Sequence, residues 1–511
     1  MRKHLFLVIA AAAVLLSVTT SAIGSSARHA AGPSGSATLS IPTDPGNLDP
    51  QLTLLQAARY VDTFAYDTLV NLTGPGKISS GLAQSWKVDS PKKVEFTLRP
   101  NITCSDGSKL TASVVKKNLD FVGNPANKSP LLGLFMPIGA TVTANNGART
   151  VVVTTTSPNP FMIQGLALVQ MICSKGLANR ASLDHGTDGT GPYQLTGAVP
   201  GDHYTFAVRK GYTWGPGGAT TAAAGLPAKV TLKVVTNEST AANLLLTGGL
   251  NVAAIGGPDR TRLNKTKLFN IVSPAQPNEL FFNENPGHPA ANPAVRKALV
   301  QALNLNQIGT VATSGRGLKM TQLSLQNFTP CAGNSIAGNV PAYNPSAAKS
   351  VLSGAGSLKL LYPTDAGPAY PPAAELMQQQ LASAGAKVTL DPQSTASLQG
   401  TIFGSGDWDV VIIGIGVANP AQFKSLVSGP TPPNGTNFAG IANAGYKQAV
   451  ARASRRVGVA GCKYWLDAEQ SLFKAGDVAP LQVTTAATYG RKMTFSLGVE
   501  GPIPTSLRLT K

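Results

Sequence analysis

Two widely separated stretches of this chain alternate strand and helix, and that pattern limits what it can fold into more than any other feature. In the first, "KVTLKVV" at 229–235 reads as a strand, "NESTAANLLLTGG" as a short helix started by Ser239 or Thr240 and stopped by Gly248, and "LNVAAIGG" as a strand again. In the second, "SLKLLYP" (357–363) is a strand, "AAELMQQQLASAG" (373–385) a helix ended by Gly385, and "AKVTL" and "WDVVIIG" are strands. Strands joined through a helix lie parallel and are covered by that helix, so each stretch seeds an α/β layer. Two seeds this far apart predict two α/β lobes.

Between them, "ANPAVRKALVQALNLNQI" (291–308) offers Asn292 as cap, Pro293 in the first turn and Val295, Leu299 and Leu303 at helical spacing, which predicts one helix. Nearer the start, Val94, Phe96 and Leu98 alternate with Glu95, Thr97 and Arg99 as in a half-buried strand, and Val151 to Val153 continue that character. No short-period repeat is visible. A chain of 511 residues has room for about three domains or lobes with full cores.

The apolar run Leu5 to Val18 follows Arg2 and Lys3 and precedes small residues around Ser21, Ala22 and Gly24, the pattern of a cleaved secretory signal over 1–24. It falls short of the ~20 residues that span a bilayer. Export to the periplasm or the outer face of the cell envelope is expected. No cysteine follows the run, so a lipoprotein attachment point is absent there. "SSARHAAGPSGSA" (25–37) reads as a flexible leader, with folded sequence from about Thr38.

Four cysteines, Cys104, Cys173, Cys331 and Cys462, allow three pairings in a disulfide-permissive compartment, and none is close enough to another to form a CxxC metal clamp. The net charge of +18 raises the question of nucleic acid, but only 13% of residues are charged and the Lys and Arg are scattered. Together with export this points away from a nucleic-acid partner and towards contact with an anionic envelope.

The residues supply no catalytic set. Beyond His4 in the signal, His29, His185, His203 and His288 stand in no HExxH or paired-ligand context, and no GxSxG elbow occurs. "GIGVANP" (414–420) is similar to a phosphate loop, but it lacks the third glycine and brings Pro420 where a helix should run, so it reads as a tight structural turn. In "TLRPNITCSDGSKLTASVV" (97–115) the strand ends at Pro100, Asp106 and Gly107 make a turn, and Thr111 caps a helix. Cys104 there has no basic neighbour to activate it and reads as half of a disulfide. No cofactor and no metal site is called for.

Several segments taken in order carry a resemblance: "LDPQ" (48–51), "YDTLV" (66–70), "GLAQSWKV" (81–88), "FTLRPNITCSDGSKLTA" (96–112), "GTGPYQL" (189–195) and "FFNENPGHPAANPAVRKALVQALN" (281–304), extended by "YNPSAAKSVLSGAG" (343–356) and "WDVVIIG" (408–414). This series resembles the peptide/nickel family (family 5, oligopeptide/dipeptide-binding) of ABC-transporter solute-binding proteins and covers nearly the whole mature chain. The resemblance implies a type II periplasmic-binding-protein-like fold: two α/β lobes on a hinge with an extra subdomain inserted in the first. The implied division is lobe I at 38–70, 190–268 and 492–511, the inserted subdomain at 71–189, and lobe II at 269–491. It also implies a monomeric receptor, not an enzyme, that closes on a peptide or other small polar solute and delivers it to a membrane permease.

The cleft positions carried over from the family are Gln56, Ile415, Gly416, Asn419, Asn437, Tyr489 and Arg491. Where peptide-binding members place Trp and Asp before a proline, this chain has "IGIGVANP", so the carboxylate that would pair with a peptide amine is missing from that loop. An uncharged solute, or a peptide held by its backbone, is the implied ligand. The implied division also selects among the disulfide pairings: Cys104 with Cys173 and Cys331 with Cys462 each stay within one unit, and each cysteine adjoins a turn. The competing readings are a sugar or metal-chelate receptor of the same fold, a secreted hydrolase and an adhesive envelope protein.

Overall fold

The computed structural model describes residues 32–74, 76–325 and 327–511. The expected signal at 1–24 and most of the leader lie outside the described residues. The last two leader positions, Ser36 and Ala37, already belong to a strand, Ser36–Ile41.

Among the described residues, eleven strands join in one mixed sheet that runs through both lobes. In the first lobe, Ser36–Ile41 lies between Lys229–Val234 and Val252–Ile255, parallel to both, so that Leu39 pairs with Leu232 on one side and Val252 on the other. Helix Glu238–Thr247 therefore crosses over the N-terminal strand, which the local pattern does not reveal. Its cap is Asn237, whose Oδ1 accepts the Thr240 N–H at 2.9 Å, rather than Ser239 or Thr240. Gly248, at φ +90°, ends the helix in the left-handed conformation that a side chain would resist.

In the second lobe, Ser357–Pro363 lies parallel to Lys387–Gln393 and to Val410–Ile413. The connecting helix, Tyr370–Ser383, starts ahead of the expected Ala373 because Pro371 and Pro372 fall in its first turn, where no N–H is needed. Strand alternation divides the core. Phe281, Leu361 and Val411 meet Trp408, Phe423, Phe438 and Trp465 on one face. Leu280, Phe282, Leu360 and Ile412 meet Leu299 and Met377 from the two helices on the other. Each such side chain contributes about 1.5–3 kcal/mol on burial.

The single helix expected over 291–308 is two, Pro293–Ala302 and Leu305–Ala312. Leu303 leaves helical geometry, and Asn304 caps the second helix by accepting the Gln307 N–H at 3.1 Å. A local side-chain cap has competed with helix continuation and won.

Two long antiparallel strands, Phe269–Phe282 and Val478–Gly490, join the lobes. At one end Asn270 pairs with Tyr489 beside the first-lobe strand Val252–Ile255. At the other end Phe281 pairs with Val478 beside Val410–Ile413. The register shifts between Pro274 and Pro277 and again before Glu279, where prolines remove ladder donors. The weakest part of the joint is therefore its middle.

The inserted region forms an antiparallel sheet of Ala83–Ser90, Lys93–Leu98, Thr150–Thr154 and Thr141–Asn145 under helix Ala112–Gly123. Lys93–Leu98 shows the expected alternate burial, and Thr111 Oγ1 caps the helix by accepting the Val114 N–H at 3.3 Å. Asp106 and Gly107 make the expected turn, with Asp106 Oδ1 accepting the Ser108 N–H at 2.9 Å and Gly107 at φ +84°. Both disulfides form as expected, Cys104–Cys173 here and Cys331–Cys462 in the second lobe. After the long strands the chain returns to the first lobe, where Met493, Phe495 and Leu507 join its core.

Glu469, on helix Cys462–Ala475, is fully enclosed and accepts hydrogen bonds from Leu323 N–H and Ser335 Oγ. Burial pushes its carboxyl up to about 7. A carboxyl raised above its unfolded value contributes stability below about pH 4.5 and loses it as pH rises through about 7, a change of roughly 3 kcal/mol by about pH 9. The expected result is that Glu469→Gln, which keeps the shape, flattens this decline in urea unfolding measured across pH. An unchanged slope would show that Glu469 does not titrate in the fold.

Candidate functional site

The loop after Val410–Ile413 is fixed from several sides. Ile415 N–H donates to Glu279 Oε2 at 3.1 Å, Gln276 Nε2 to Gly414 O at 2.8 Å, and Leu325 N–H to Val417 O at 2.9 Å. Glu279 comes from the first long strand, is fully buried, and has no partner for Oε1 among the described residues. Burial pushes its carboxyl well above the usual carboxylate range. Gly416 is exposed, and a Cβ there would reach only Leu325 Cδ1 at 3.6 Å and Pro277 Cδ at 3.9 Å, so the loop presents bare backbone. Pro420 does not block a helix, as its lateness in the motif suggested. It occupies the first turn of the short 3-10 helix Pro420–Phe423, and Asn419 forms a capping box with Gln422.

Directly after this loop, Ala421 and Gln422, with Lys424, Ser425 and Lys447 of the second lobe and Gly133 and Leu134 of the inserted subdomain, border an opening of about 780 Å³. Its first-lobe surroundings are apolar for an exposed surface: Leu134 is 42% and Ile138 72% exposed. Leu52, Leu54 and Leu55, just before helix Gln56–Ala65, are also exposed. Of these, Leu134 and Ile138 both flank Gly133 and form a local exposed apolar spot, the kind of surface that meets something.

Phe135, next to Leu134, lies under the Arg59 guanidinium, 5.0 Å from Cζ to the ring centre. Arg59 lines a smaller cavity of about 120 Å³ with Thr63, Asp67, Gln170 and Glu500. Its Nε and Nη2 both reach Glu500 Oε1 at 2.7 Å, and Nη2 also donates to Leu168 O at 3.0 Å. Asp67 is spent on Tyr212, Thr190 and Trp214. One turn along the helix, Asp62 is fully buried with both carboxylate oxygens unpartnered, and burial pushes its carboxyl far up, so Glu500 is the counter-ion of Arg59.

The seven cleft positions expected from sequence do not gather. Ile415 and Gly416 sit on the second-lobe loop, and Gln56 is exposed at the first-lobe helix start. Asn419 has its side chain in the capping box. Asn437, 2% exposed, spends its amide on Ile441 N–H, Ile441 O and Gly429 O, so it staples its own loop. Tyr489 is fully buried, with its hydroxyl donating to Asn264 Oδ1 at 2.5 Å. It pairs with Asn270, nine residues along the strand from Glu279, or roughly 30 Å at the rise of a strand. Arg491 donates to Leu246 O at 2.6 Å on that same remote side. Sequence reasoning missed Arg59, Gln276, Glu279 and Glu500. The available signals were the charged pair Arg59 and Asp62, one turn apart in helix Gln56–Ala65, and a lone acid in the loop "LGVEGPIP" of an acid-poor chain.

Residues 77–436 match the bacterial extracellular solute-binding proteins, family 5, middle region. The chain belongs to this family. The glutathione-binding protein GsiB of Pectobacterium atrosepticum is 28% identical over 364 residues, which is 67% of this chain. The alignment spans 66% of that relative's length. A substrate-binding protein from Microbacterium hydrocarbonoxydans, solved with 4-hydroxybenzoate hydrazide, is 26% identical, covers 93% of this chain and 100% of its own, and superposes with a TM-score of 0.71. The ABC transporter substrate-binding protein CtaP of Listeria monocytogenes shares the fold at 18% identity and a TM-score of 0.80, over 94% of this chain and 100% of its own. Among the described residues of this family 5 protein, no helix is long and apolar enough to cross a membrane.

Proposed function

We propose that this chain is the extracytoplasmic receptor of an ABC importer, which captures a peptide or similar small solute by lobe closure and hands it unchanged to a permease. The observation that carries this reading is the joint: two lobes share one sheet through two long strands whose ladder is interrupted at Pro274–Glu279, while an open space is bordered by the inserted subdomain on one side and the second lobe on the other. Closure about such a joint is a hinge motion, and ligand shifts the population towards the closed state. The division into lobe I (38–70, 190–268, 492–511), inserted subdomain (71–189) and lobe II (269–491), the monomeric state and the exported location belong to this proposal.

A second reading of the ligand is favoured by the exposed Leu134 and Ile138 at the opening and by the carboxylate-free loop 414–420: an uncharged, partly apolar solute. The Microbacterium neighbour was solved with such a molecule, an aromatic hydrazide.

The test is mass spectrometry of whatever co-purifies with the protein, followed by small-angle scattering with and without that compound. Compaction on binding, with the compound recovered unchanged, is the expected result. A chemically altered compound would instead favour the hydrolase, and unchanged scattering at saturation would remove the hinge.

A further inference from the structure

The small first-lobe cavity holds hydrogen-bonding groups that the protein does not use itself. Glu500 Oε1 receives two Arg59 donors at 2.7 Å, whereas Oε2 receives none among the described residues, and its side chain is 16% exposed. Gln170, 3% exposed and lining the same cavity, has an unpartnered Oε1, and Arg59, 4% exposed, an unpartnered Nη1. Buried polar atoms are rarely left without partners, so this set marks a place where something else supplies them.

Resting on the receptor reading above, we propose that Glu500 is a specificity-determining residue and that this cavity takes a neutral carboxamide or hydrazide group of the solute. The unused groups among the described residues are two acceptors, Glu500 Oε2 and Gln170 Oε1, and two donors, Arg59 Nη1 and Gln170 Nε2. A primary amide offers the complement: two N–H donors and one carbonyl acceptor with two lone pairs.

Charge selects the same class. An ammonium drawn to Glu500 Oε2 would lie close to the Arg59 guanidinium that already neutralises that carboxylate, and a solute carboxylate would meet the charge of Glu500 itself. A neutral donor meets neither penalty, and the buried ion pair stays intact. The volume of about 120 Å³ corresponds to about four waters at their share of liquid volume, enough for such a group with part of a ring behind it.

The test uses the whole mature protein and calorimetry with four probes of one shape: 4-hydroxybenzamide, 4-hydroxybenzoate hydrazide, 4-hydroxybenzylamine and 4-hydroxybenzoate. The amide and hydrazide are expected to bind at least about tenfold more tightly than the amine and the acid. Glu500→Gln should weaken both neutral probes about tenfold, and Glu500→Asp, which keeps the charge opposite Arg59 but withdraws the oxygen, should fall between. Thermal unfolding of the ligand-free variants establishes that each is folded. Amine binding equal to amide binding, or a folded Glu500→Gln variant that binds the amide within twofold of the natural protein, would overturn the proposal. Binding of some other solute with lobe closure, and of none of the four probes, would overturn it while leaving the receptor reading in place. No closure with any solute would remove the receptor reading itself.

Discussion

Replacing both Cys331 and Cys462 by serine is expected to cost the second lobe about 4–5 kcal/mol of stability, since the bridge spans 131 residues and constraint of the unfolded chain grows with the logarithm of the closed loop. The position of the bridge makes the loss more than entropic. Cys331 follows Pro330, against which Gly76 of the inserted subdomain is packed, and Gly76 N–H donates to Phe328 O at 3.0 Å. Cys462 follows the turn where Gly458 N–H donates to Pro160 O at 2.9 Å, and it opens the helix whose Trp465 meets Phe161 at 6.0 Å. The bridge therefore ties together the two second-lobe loops on which the inserted subdomain rests. Urea unfolding followed by the fluorescence of Trp408 and Trp465, both in the second-lobe core, reads the change. A loss below about 1 kcal/mol would contradict it. The Cys104–Cys173 bridge closes a shorter stretch of 69 residues and should contribute slightly less.

What could be read from the sequence, and what could not, follows from the range of each interaction. Strand Lys93–Leu98 and helix Ala112–Gly123 were legible because alternation and the Thr111 cap are written within a few residues. The cap at Asn304 was equally local, but Val295, Leu299 and Leu303 kept their spacing across the break and hid it. The insertion of Ser36–Ile41 between two strands some two hundred residues later was not legible, since a strand does not encode its neighbours. The site depends even more on distant pairs. Arg59 and Glu500 meet across 441 residues, and Glu279 reaches Ile415 across 136. The asparagines chosen from sequence are engaged within their own loops for a physical reason. An amide in a turn is close to its own backbone and is consumed there, as Asn437 is by Ile441 and Gly429.

Arg296→Met is expected to destabilise the second lobe by about 3–5 kcal/mol, the range for removing one partner of a buried ion pair. From helix Pro293–Ala302, Arg296 Nη2 lies 3.3 Å from Glu284 Oε2 and 3.2 Å from Asp477 Oδ1, and Nη1 donates to Ala290 O at 2.8 Å. All three side chains are at most 8% exposed. Burial, with Asp477 adding to it, pushes the Glu284 carboxyl up to about 8, against the opposing pull of Arg296. The two acids thus hold a proton between them at neutral pH while the guanidinium balances the remaining charge. Methionine fills the space but removes that balance, leaving an uncompensated buried charge. Because ionisation of the second acid adds to the charge left without a counter-ion, the deficit relative to the natural protein should grow as pH rises from below neutral through about 8. Urea unfolding of both proteins across that interval gives the answer. A deficit that does not change with pH would mean that Arg296 acts through packing alone, and one below about 1 kcal/mol would mean that the two acids find other partners when it is gone.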